Sequence, residues 1–375
     1  MIPVTTFAGR AVAVFGLGAS GIATARALMA GGARVLAADD GEAGRAAAAR
    51  AGIPVADLRT AAWPEIAALV LAPGVPLTHP EPHWTVALAR AAGVEVIGDV
   101  ELFLRERAKQ APAAPLVAIT GTNGKSTTTA LTAHLLRMLG CDVAMGGNIG
   151  VPILDLAPAD PGRIHVVELS SFQIDLAPSL RGPAGATVGV LLNLSPDHID
   201  RHGTMANYAA IKERLVQGAE AAAIGGDDPE SRAIAERIAP QGRLYGFTAG
   251  RGSGLMPRLY AIGTSLFVIE RSGITAASTE VASTAGIGAL RGQHNVQNAL
   301  AALTALRALQ DRLDAHGLPL KVWQPSRLQA GLATFPGLPH RMEEVGRVGD
   351  VIFINDSKAT NADSTEKALA AFPGN

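Results

Sequence analysis

A glycine-rich turn between a strand-like and a helix-like segment constrains this chain more than any other feature. The segment V-A-I-T-G-T-N-G-K-S-T covers residues 117–127. Backbone N–H groups in such a turn can hold phosphate oxygens, the Lys125 ammonium can reach the β and γ oxygens of a nucleotide, and the Ser126 hydroxyl can bind Mg²⁺. The spacing is shorter than in the general pattern G-x-x-x-x-G-K-[ST], because Ile119 stands where the first glycine would lie. We therefore predict that an α/β domain binds ATP phosphates through Gly121, Thr122, Asn123, Gly124, Lys125, Ser126 and Thr127.

A second glycine turn near the N-terminus predicts another ligand. G-L-G-A-S-G at residues 16–21 matches G-x-G-x-x-G, and Asp39 ends the next apolar run. This pattern is typical of a diphosphate site in a Rossmann-like domain, where small residues such as Gly18, Ala19 and Ser20 let the backbone approach the ligand and Asp39 has the spacing of a ribose-binding acid. The turn A-P-G-V-P, which contains Gly74, could line the same crevice. The pattern alone does not separate a UDP group from the NAD of a dehydrogenase, or from a tight turn without a nucleotide; NADH binding would identify the dehydrogenase.

The periodicity predicts an α/β fold with three parts. Residues 1–110 alternate apolar strands with Ala-rich helices, which indicates a Rossmann-like domain with a parallel sheet. The strands are expected at 11–15, 34–38, 68–72 and 94–97, and helices at 22–30 and 85–92. The polar, Ala/Pro-rich stretch 105–115 is interpreted as a linker.

Residues 111–336 read as a central, P-loop ATPase-like α/β domain. Its features are strands at 116–119, 164–168 and 187–193, a small β-rich subregion within 251–289, and helices at 205–218 and 294–309. Residues 337–375 contain one strand, 351–355, and one helix, 364–371, which resembles the start of a C-terminal Rossmann-like domain. One βα unit cannot cover both faces of a sheet, so we expect this domain to be truncated.

Composition excludes several other functions. Lys plus Arg total 32 against 33 acids, with no basic block, so neither nucleic acid nor a membrane surface is expected as a partner. The single cysteine, Cys141, allows no internal disulfide. The uncharged stretch 11–25 is interrupted by three glycines and reads as a strand entering a helix rather than a signal peptide. We expect a cytoplasmic protein.

The short phosphate loop T-G-T-N-G-K-S resembles that of the Mur ligase and folylpolyglutamate synthase superfamily, whose members use ATP to form an acyl phosphate and then an amide. The resemblance extends over almost the whole chain. It includes, in order, G-G-N-I-G with Asn148, E-L-S-S-F-Q with Glu168, N-L-S-P-D-H-I-D-R with His198, H-N-V-Q-N-A with Asn295 and Asn298, P-H-R with Arg341, and N-D-S-K-A-T-N with Asp356 and Lys358.

The resemblance implies a role for each of these residues. Asn148 belongs to a substrate-side loop, and Ser126 and Glu168 would hold one Mg²⁺. His198 and Lys212 would serve a second Mg²⁺, with Lys212 carbamoylated because it ends the pattern N-Y-x-x-x-K. The residues implied on the ATP side beyond the phosphate loop are Asn295, Asn298, Arg341, Asp356 and Lys358.

Each residue also has a structural interpretation without a ligand. An acid such as Glu168 is common at an exposed strand end, and His198 could lie in a solvated turn beside two aspartates. Asn295 could be a helix N-cap. Arg341 and Lys358 could be surface charges. For Lys212, a solvated helix lysine is the interpretation that the sequence alone favours.

The N-terminal turn most resembles that of the Mur ligases that add D-glutamate to UDP-N-acetylmuramoyl-L-alanine. This implies a monomeric enzyme of peptidoglycan precursor synthesis with these two substrates, ATP and Mg²⁺. Catalysis would depend on Lys125, Asn148, Glu168, His198 and Lys212. Two alternatives stay open, namely a Mur-type ligase for another amino acid and a non-catalytic nucleotide-binding protein.

Overall fold

The protein is described from a computed structural model, which covers residues 1–182, 184–250, 258–272, 275–359 and 361–372. The side chains at positions 271, 272, 275 and 364 are not described. Two parts of the predicted β-rich subregion, 251–257 and 273–274, and Thr360 of the N-D-S-K-A-T-N segment lie outside these residues. The chain divides into two compact units, which are described separately: unit 1 is 1–115, 144–186 and 198–218, and unit 2 is 116–143, 187–197 and 219–375.

The helices and strands follow one another in βα alternation for most of the chain. From the N-terminus to the strand that ends at Glu168, the elements are β1 (Ala11–Phe15), α1 (Ala19–Ala30), β2 (Arg34–Ala38), α2 (Glu42–Arg50), β3 (Ile66–Leu71), α3 (Trp84–Ala91), β4 (Glu95–Ile97), α4 (Asp99–Gln110), β5 (Leu116–Thr120), α5 (Lys125–Met138), β6 (Asp142–Gly147) and β7 (Arg163–Glu168). The remaining elements are α6 (Ser171–Asp175), β8 (Val188–Leu191), α7 (Ile199–His202), α8 (Met205–Gly218), β9 (Ala221–Gly225), α9 (Pro229–Ile238), β10 (Leu244–Thr248), β11 (Leu259–Ile262), β12 (Ser265–Ser272), β13 (Thr275–Ser283), α10 (Gln293–Ala315), α11 (Pro325–Ala333), β14 (Glu343–Val348), β15 (Val351–Asn355) and α12 (Ala362–Ala370).

Unit 1 begins with a four-stranded sheet in the order β2-β1-β3-β4. All three pairs are parallel, and every residue of β1 is buried. The predicted Rossmann-like start is therefore confirmed, with β1 and β2 at the predicted bounds. The strand order reverses between β1 and β3, so the turns after these two strands lie at the crevice where such sheets bind ligands.

The predicted linker at 105–115 is wrong in its first half, because helix α4 continues to Gln110. Its polar residues have partners within unit 1. Arg105 forms ion pairs of 2.8 Å with Glu95 and with Glu101 one turn earlier. The buried Arg107 donates a hydrogen bond to the Gly185 carbonyl. The polar residues of this stretch therefore belong to a helix surface that packs within unit 1, and not to an exposed linker.

Unit 2 is a sheet flanked by helices. Its strands lie in the order β13-β12-β11-β10-β9-β8-β5. The pairs from β5 to β11 are parallel, whereas β11–β12 and β12–β13 are antiparallel, so the predicted β-rich subregion is confirmed where it is described. The long helix α10 packs on α5 and on β8 to β11. Strand β14, which was not predicted, pairs antiparallel with β15. None of the described helices combines the length and hydrophobicity that a bilayer crossing demands.

A buried carboxyl in unit 1 makes stability depend on pH. Burial raises the pKa of Asp99 from 3.8 to about 6, opposed by hydrogen bonds from the Val100 amide and Gln173. The folded state therefore keeps a proton that the unfolded chain releases above pH 3.8. This stabilising contribution is complete below pH 3.8 and is lost as the pH rises through 6.

We predict that Asp99→Asn gains stability relative to the parent protein as the pH rises from 4 to 7, by up to about 3 kcal/mol. The amide mimics the protonated carboxyl and loses no proton. Urea-induced unfolding at several pH values measures the difference. Asp57→Asn, which changes an exposed aspartate of the same unit, is the control. A difference that stays constant across this range would contradict the burial of an ionisable carboxyl at Asp99.

Candidate active site

The phosphate loop of unit 2 connects β5 to the N-terminus of α5, as predicted. Gly124 precedes the helix with φ 84°, and a Cβ atom there would lie 2.2 Å from the Asn298 side-chain oxygen on α10. Asn298 also accepts a hydrogen bond of 3.3 Å from the Thr128 hydroxyl. Only glycine fits this close approach, so α10 fixes the start of α5 and the direction of its N–H groups.

The charged and hydroxyl groups of the loop have contacts within unit 2. The Lys125 ammonium donates to the carbonyls of Gly121 and Thr122 at 3.0 and 2.6 Å. The hydroxyl of the buried Ser126 accepts a hydrogen bond of 2.9 Å from Arg341. Both cations, Lys125 and Arg341, therefore lie at the loop. Phosphate oxygens can replace the carbonyl and hydroxyl acceptors with stronger, charge-assisted bonds.

Asn193 holds the loop from the end of β8. Its side-chain oxygen accepts from the Asn123 amide at 3.0 Å, and its carbonyl accepts from the Thr122 amide at 2.9 Å. Its amide donates to Gln297 on α10, which in turn donates to Asp227 at 2.9 Å. The loop therefore has a fixed shape, although two of its amides are already engaged.

Residues of the C-terminal segment, 337–375, differ in what they contact. The side-chain amide of Asn123 donates to Asp363 at 2.5 Å, and the side-chain amide of Asn361 donates to the side-chain oxygen of Asn123 at 3.1 Å, contacts that the sequence did not predict. Asp356 accepts from the Met342 amide. Lys358 is exposed, whereas the predicted Asn295 is buried and accepts a hydrogen bond of 3.0 Å from Asn298.

In unit 1, Glu168 is a buried carboxylate at the end of β7. Glu168 is only 2% exposed, so the interpretation as an exposed strand-end acid is wrong. Asn148 contacts it twice, through its side-chain amide to Oε1 at 2.7 Å and through its backbone amide to the Glu168 carbonyl at 2.9 Å. Gly147 has φ 99°, and a Cβ there would lie 2.4 Å from that carbonyl. The G-G-N turn is therefore built around Glu168.

The second carboxylate oxygen of Glu168, Oε2, is buried and has no hydrogen-bond partner among the residues that the structure describes. A buried anionic oxygen without a donor is unfavourable, and a divalent cation would compensate it. Among the described residues, no three His, Cys, Asp or Glu side chains gather around one point. Mg²⁺ does not need such a group, because it binds one or two carboxylates together with waters and substrate phosphates. Glu168 therefore fits a Mg²⁺ ligand.

A column of aromatic rings connects His198 to Lys212. Phe172 packs between His198 and His202, with centroid distances of 5.0 and 5.2 Å. His202 packs on Tyr208 at 5.6 Å, and the Lys212 ammonium lies 5.0 Å from the Tyr208 centroid. His198 is exposed and has φ 51°, a conformation that non-glycine residues adopt mainly where function or packing requires it.

Lys212 is only 1% exposed, so the solvated helix lysine favoured by the sequence is wrong. It lies on α8, whose predicted bounds are confirmed, but on the face of that helix that packs inward. A buried lysine is rare without a specific role, because removing an ammonium from water is costly.

Sequence reasoning missed His202. It is 3% exposed, and its Nε2 is hydrogen bonded to the Ser171 hydroxyl at 2.9 Å. Burial lowers the pKa of His202 to about 4; Asp175 opposes this, whereas the nearby cations reinforce it. The ring is therefore neutral at pH 7. A single histidine in the polar string D-R-H-G carries no signal of this burial.

The N-terminal turn and Asp39 come together at the carboxyl ends of β1 and β2. The Asp39 carboxylate accepts hydrogen bonds from the Leu17 amide at 2.5 Å and the Gly41 amide at 2.7 Å. Beside it lies a cavity of about 450 Å³, over which Arg59 stacks on Trp84 at 4.1 Å. Of the other predicted contacts, Gly18, Ala19 and Gly74 are exposed and Ser20 is partly buried. The arrangement suits a polar ligand that approaches backbone amides.

Comparison with known proteins places these sites in a family. Residues 119–306 match the profile described as the Mur ligase middle domain. The UDP-N-acetylmuramoylalanine–D-glutamate ligase of Nitrobacter winogradskyi is 56% identical over 377 residues, which cover 99% of this chain and 76% of that protein. The enzyme of the same name from Chelativorans sp. is 56% identical over 373 residues, covering 100% of this chain and 75% of that protein.

Solved structures agree on the fold. The UDP-N-acetylmuramate–alanine ligase from Thermotoga maritima superposes with a TM-score of 0.51 at 18% identity, covering 97% of this chain and 78% of that one. The α/β architecture predicted from the sequence is thereby confirmed. By its relatives and its middle domain, the chain belongs to the Mur ligase family.

Proposed function

We propose that this chain catalyses the ATP-dependent addition of D-glutamate to UDP-N-acetylmuramoyl-L-alanine, a cytoplasmic step of peptidoglycan precursor synthesis. The observation that carries the proposal is the phosphate loop, in which Lys125 and Ser126 start a helix held by Asn298. The choice of amino acid rests on the names of relatives that are 56% identical over nearly the whole chain.

The reaction has two steps. A carboxylate oxygen of the L-alanyl group attacks the γ-phosphorus of ATP, the bond to the ADP oxygen breaks, and an acyl phosphate forms. The neutral amine of D-glutamate then attacks the acyl carbon, phosphate leaves with the electron pair of the broken C–O bond, and the nitrogen releases a proton to solvent. The Lys125 ammonium and the N–H groups at the start of α5 stabilise charge on the transferring phosphoryl group, which is the main catalytic requirement of such a transfer.

Two Mg²⁺ ions are part of the proposal. Ser126 and Glu168 would be ligands of one. This assignment is supported by Oε2 of Glu168, which has no hydrogen-bond partner within the described ranges, and Asn148 keeps that carboxylate oriented. His198 and Lys212 would serve the other. When bound, these Mg²⁺ ions would neutralise negative charge on the phosphate groups. The remaining nucleotide contacts are assigned to Asn295, Asn298, Arg341, Asp356 and Lys358.

Lys212 is proposed to act as a carbamate. An ammonium repels Mg²⁺, whereas a carbamate is an anionic oxygen ligand. The neutral amine nitrogen attacks the carbon of CO₂, an N–C bond forms, a π pair moves to oxygen, and a proton leaves to solvent. Burial of Lys212 supports this, because burial disfavours the ammonium form.

The UDP group is assigned to unit 1. Its contacts would be Gly18, Ala19, Ser20, Asp39 and Gly74, around the turn that the Asp39 carboxylate holds. The three-domain division at 1–110, 111–336 and 337–375 and the monomeric state belong to the same proposal.

We predict that the protein containing this chain at its natural length releases phosphate from ATP with UDP-N-acetylmuramoyl-L-alanine and D-glutamate together. L-glutamate and other amino acids should give little release. Lys125→Met should lower turnover by about 10²–10³-fold, the effect of losing one group that stabilises transition-state charge. A coupled phosphate assay with chromatographic detection of the amide measures both.

The matched control is Arg137→Met, which removes a cation near the C-terminal end of α5. Equal turnover with D-glutamate and another amino acid would contradict the substrate assignment. Amide formation without ATP would contradict the proposed chemistry.

We predict that Lys212→Ala abolishes synthesis and that added short carboxylates, such as acetate or propionate, partly restore it. The small acid can occupy the space left by the lysine and supply the missing anionic oxygen. The same ligation assay over a range of carboxylate concentrations measures the recovery.

The control is Lys109→Ala, which removes an exposed helix lysine of unit 1 and should leave synthesis unchanged with or without carboxylate. Full activity of Lys212→Ala without any additive would remove Lys212 from the site.

A further inference from the structure

Arg201 on α7 carries a guanidinium group that the proposed chemistry does not use. Its Nη1 donates a hydrogen bond of 3.1 Å to the Gly74 carbonyl, and its Cζ lies over the Phe172 ring, 4.8 Å from the centroid. Arg201 is partly exposed, and no other N–H group of its guanidinium donates to a residue that the structure describes. Most of the five donors of this cation are therefore available to a ligand.

The carbonyl that accepts from Arg201 lies at the ligand crevice of the unit 1 sheet. Gly74 belongs to the turn 72–76, which follows β3 and packs on the glycine-rich turn that follows β1. A Cβ atom at Gly16 would lie only 2.6 Å from the Ala72 Cβ, so the two turns are in direct contact. They meet at the carboxyl ends of β1 and β3, where the strand order reverses. Arg201 therefore brings a positive charge to this crevice.

Two contacts keep the guanidinium at this place. A Cβ atom at Gly203, directly after α7, would lie 2.8 Å from Nε2 of His79, so the end of α7 packs closely on the loop that continues from the turn 72–76. The Phe172 ring attracts the guanidinium through its negative face and limits the arrangements that the long side chain can adopt. The charge of Arg201 is therefore held beside the turn before a ligand arrives.

We propose that Arg201 binds the diphosphate group of the UDP-sugar substrate. The inference rests on the proposed function, which assigns the UDP group to unit 1. A guanidinium presents a planar fork of N–H donors that matches two oxygens of a phosphate group, and such charge-assisted pairs are stronger than bonds between neutral groups.

The charge of the crevice favours a cation at this position. Residues 16–21 and 72–76 include no lysine or arginine. The N–H groups at the start of α1 offer partial positive charge to an anion. The Leu17 amide, however, already donates to the Asp39 carboxylate at 2.5 Å, which places a negative charge beside the turn. A diphosphate adds further negative charge, and the guanidinium of Arg201 would compensate it.

Other arginines of unit 1 lie on the nucleoside side of Asp39. Arg45 and Arg59 line the cavity beside that residue, and Arg45 donates to the Asp39 backbone carbonyl at 2.8 Å. In a Rossmann-like sheet the acid at the end of β2 meets the ribose, whereas the diphosphate lies at the glycine turn. Arg201, which contacts the neighbouring turn, is therefore better placed for the diphosphate than either of them.

The test compares ligands of the natural-length protein that differ in their charged groups. Uridine has no phosphate, UDP has the diphosphate, and UDP-N-acetylmuramoyl-L-alanine adds a carboxylate. Calorimetric titration gives the dissociation constants of the two UDP compounds, and NMR titration gives that of uridine. We expect Arg201→Met to weaken binding of both UDP compounds by the same factor, about 10–100-fold, the effect of losing a hydrogen bond between charged groups. Uridine affinity should change by less than about twofold.

The matched control is Arg10→Met. Arg10 is another exposed arginine of unit 1 over a phenylalanine ring, with its Cζ 5.4 Å from the Phe7 centroid, but it directly precedes β1, at the end of the strand opposite to the glycine turn. This variant should bind all three ligands like the parent protein. Arg201→Gln, which removes the charge and keeps a polar side chain, should show the same loss as Arg201→Met and replaces it if that variant does not fold.

Three results would overturn the inference. Parent-like affinity of the Arg201 variants for UDP would show that the guanidinium does not bind the diphosphate. A loss restricted to UDP-N-acetylmuramoyl-L-alanine would place Arg201 at the carboxylate end of the substrate. An equal loss for uridine, or an equal loss in Arg10→Met, would reduce the effect to support of the fold.

A failure of the proposed function gives a different result. If the parent protein binds neither UDP compound, the assignment of the UDP group to unit 1 is wrong, and the role of Arg201 fails with it. If the parent binds both compounds and the Arg201 variants bind them equally well, the UDP assignment stands and only the role of Arg201 fails.

Discussion

The contact between Gly124 and Asn298 is the constraint on which the nucleotide side of this protein depends. The turn reaches the start of α5 through Gly124, which has a left-handed conformation, and a Cβ atom on this residue would lie 2.2 Å from the Asn298 side-chain oxygen. That approach directs the first N–H groups of the helix, which begins with Lys125 and Ser126. A phosphate group then meets an arrangement that needs little reorganisation, and preorganisation of this kind is the largest contribution to catalysis by charge stabilisation.

Unit 1 carries the opposite kind of constraint, which is buried charge. Glu168 and Lys212 are both almost completely inaccessible to water. Each would be less costly as an apolar residue of similar size if folding were its only role. The turn built around Glu168, with its backbone and side-chain bonds to Asn148, orients one oxygen and leaves the other without a donor from the described part of the chain. Such a group has a clear use only when a cation is present.

The sequence predicted the parts of the fold that depend on local pattern. Apolar runs gave β1, β2 and β15 at their observed bounds, and the phosphate loop was found from its own glycines and lysine. It failed where polarity has a tertiary cause, as in the helix around Arg105, whose charges are paired with residues outside the stretch. Burial of Lys212 and His202 could not be predicted either, because a lysine is common on a solvated helix face and a histidine is common in a polar turn. Only the packing of α6, α7 and α8 distinguishes these cases.

ATP is proposed to activate the substrate carboxylate as an acyl phosphate. The most direct measurement is transfer of ¹⁸O from the labelled carboxylate of UDP-N-acetylmuramoyl-L-alanine during ligation of D-glutamate by the natural-length protein. The oxygen that attacks the γ-phosphorus stays on that phosphorus when the amine displaces phosphate. One ¹⁸O atom is therefore expected in each phosphate released, detected by mass spectrometry or by the shift of the ³¹P resonance. Amide formation with no ¹⁸O in the released phosphate would contradict it.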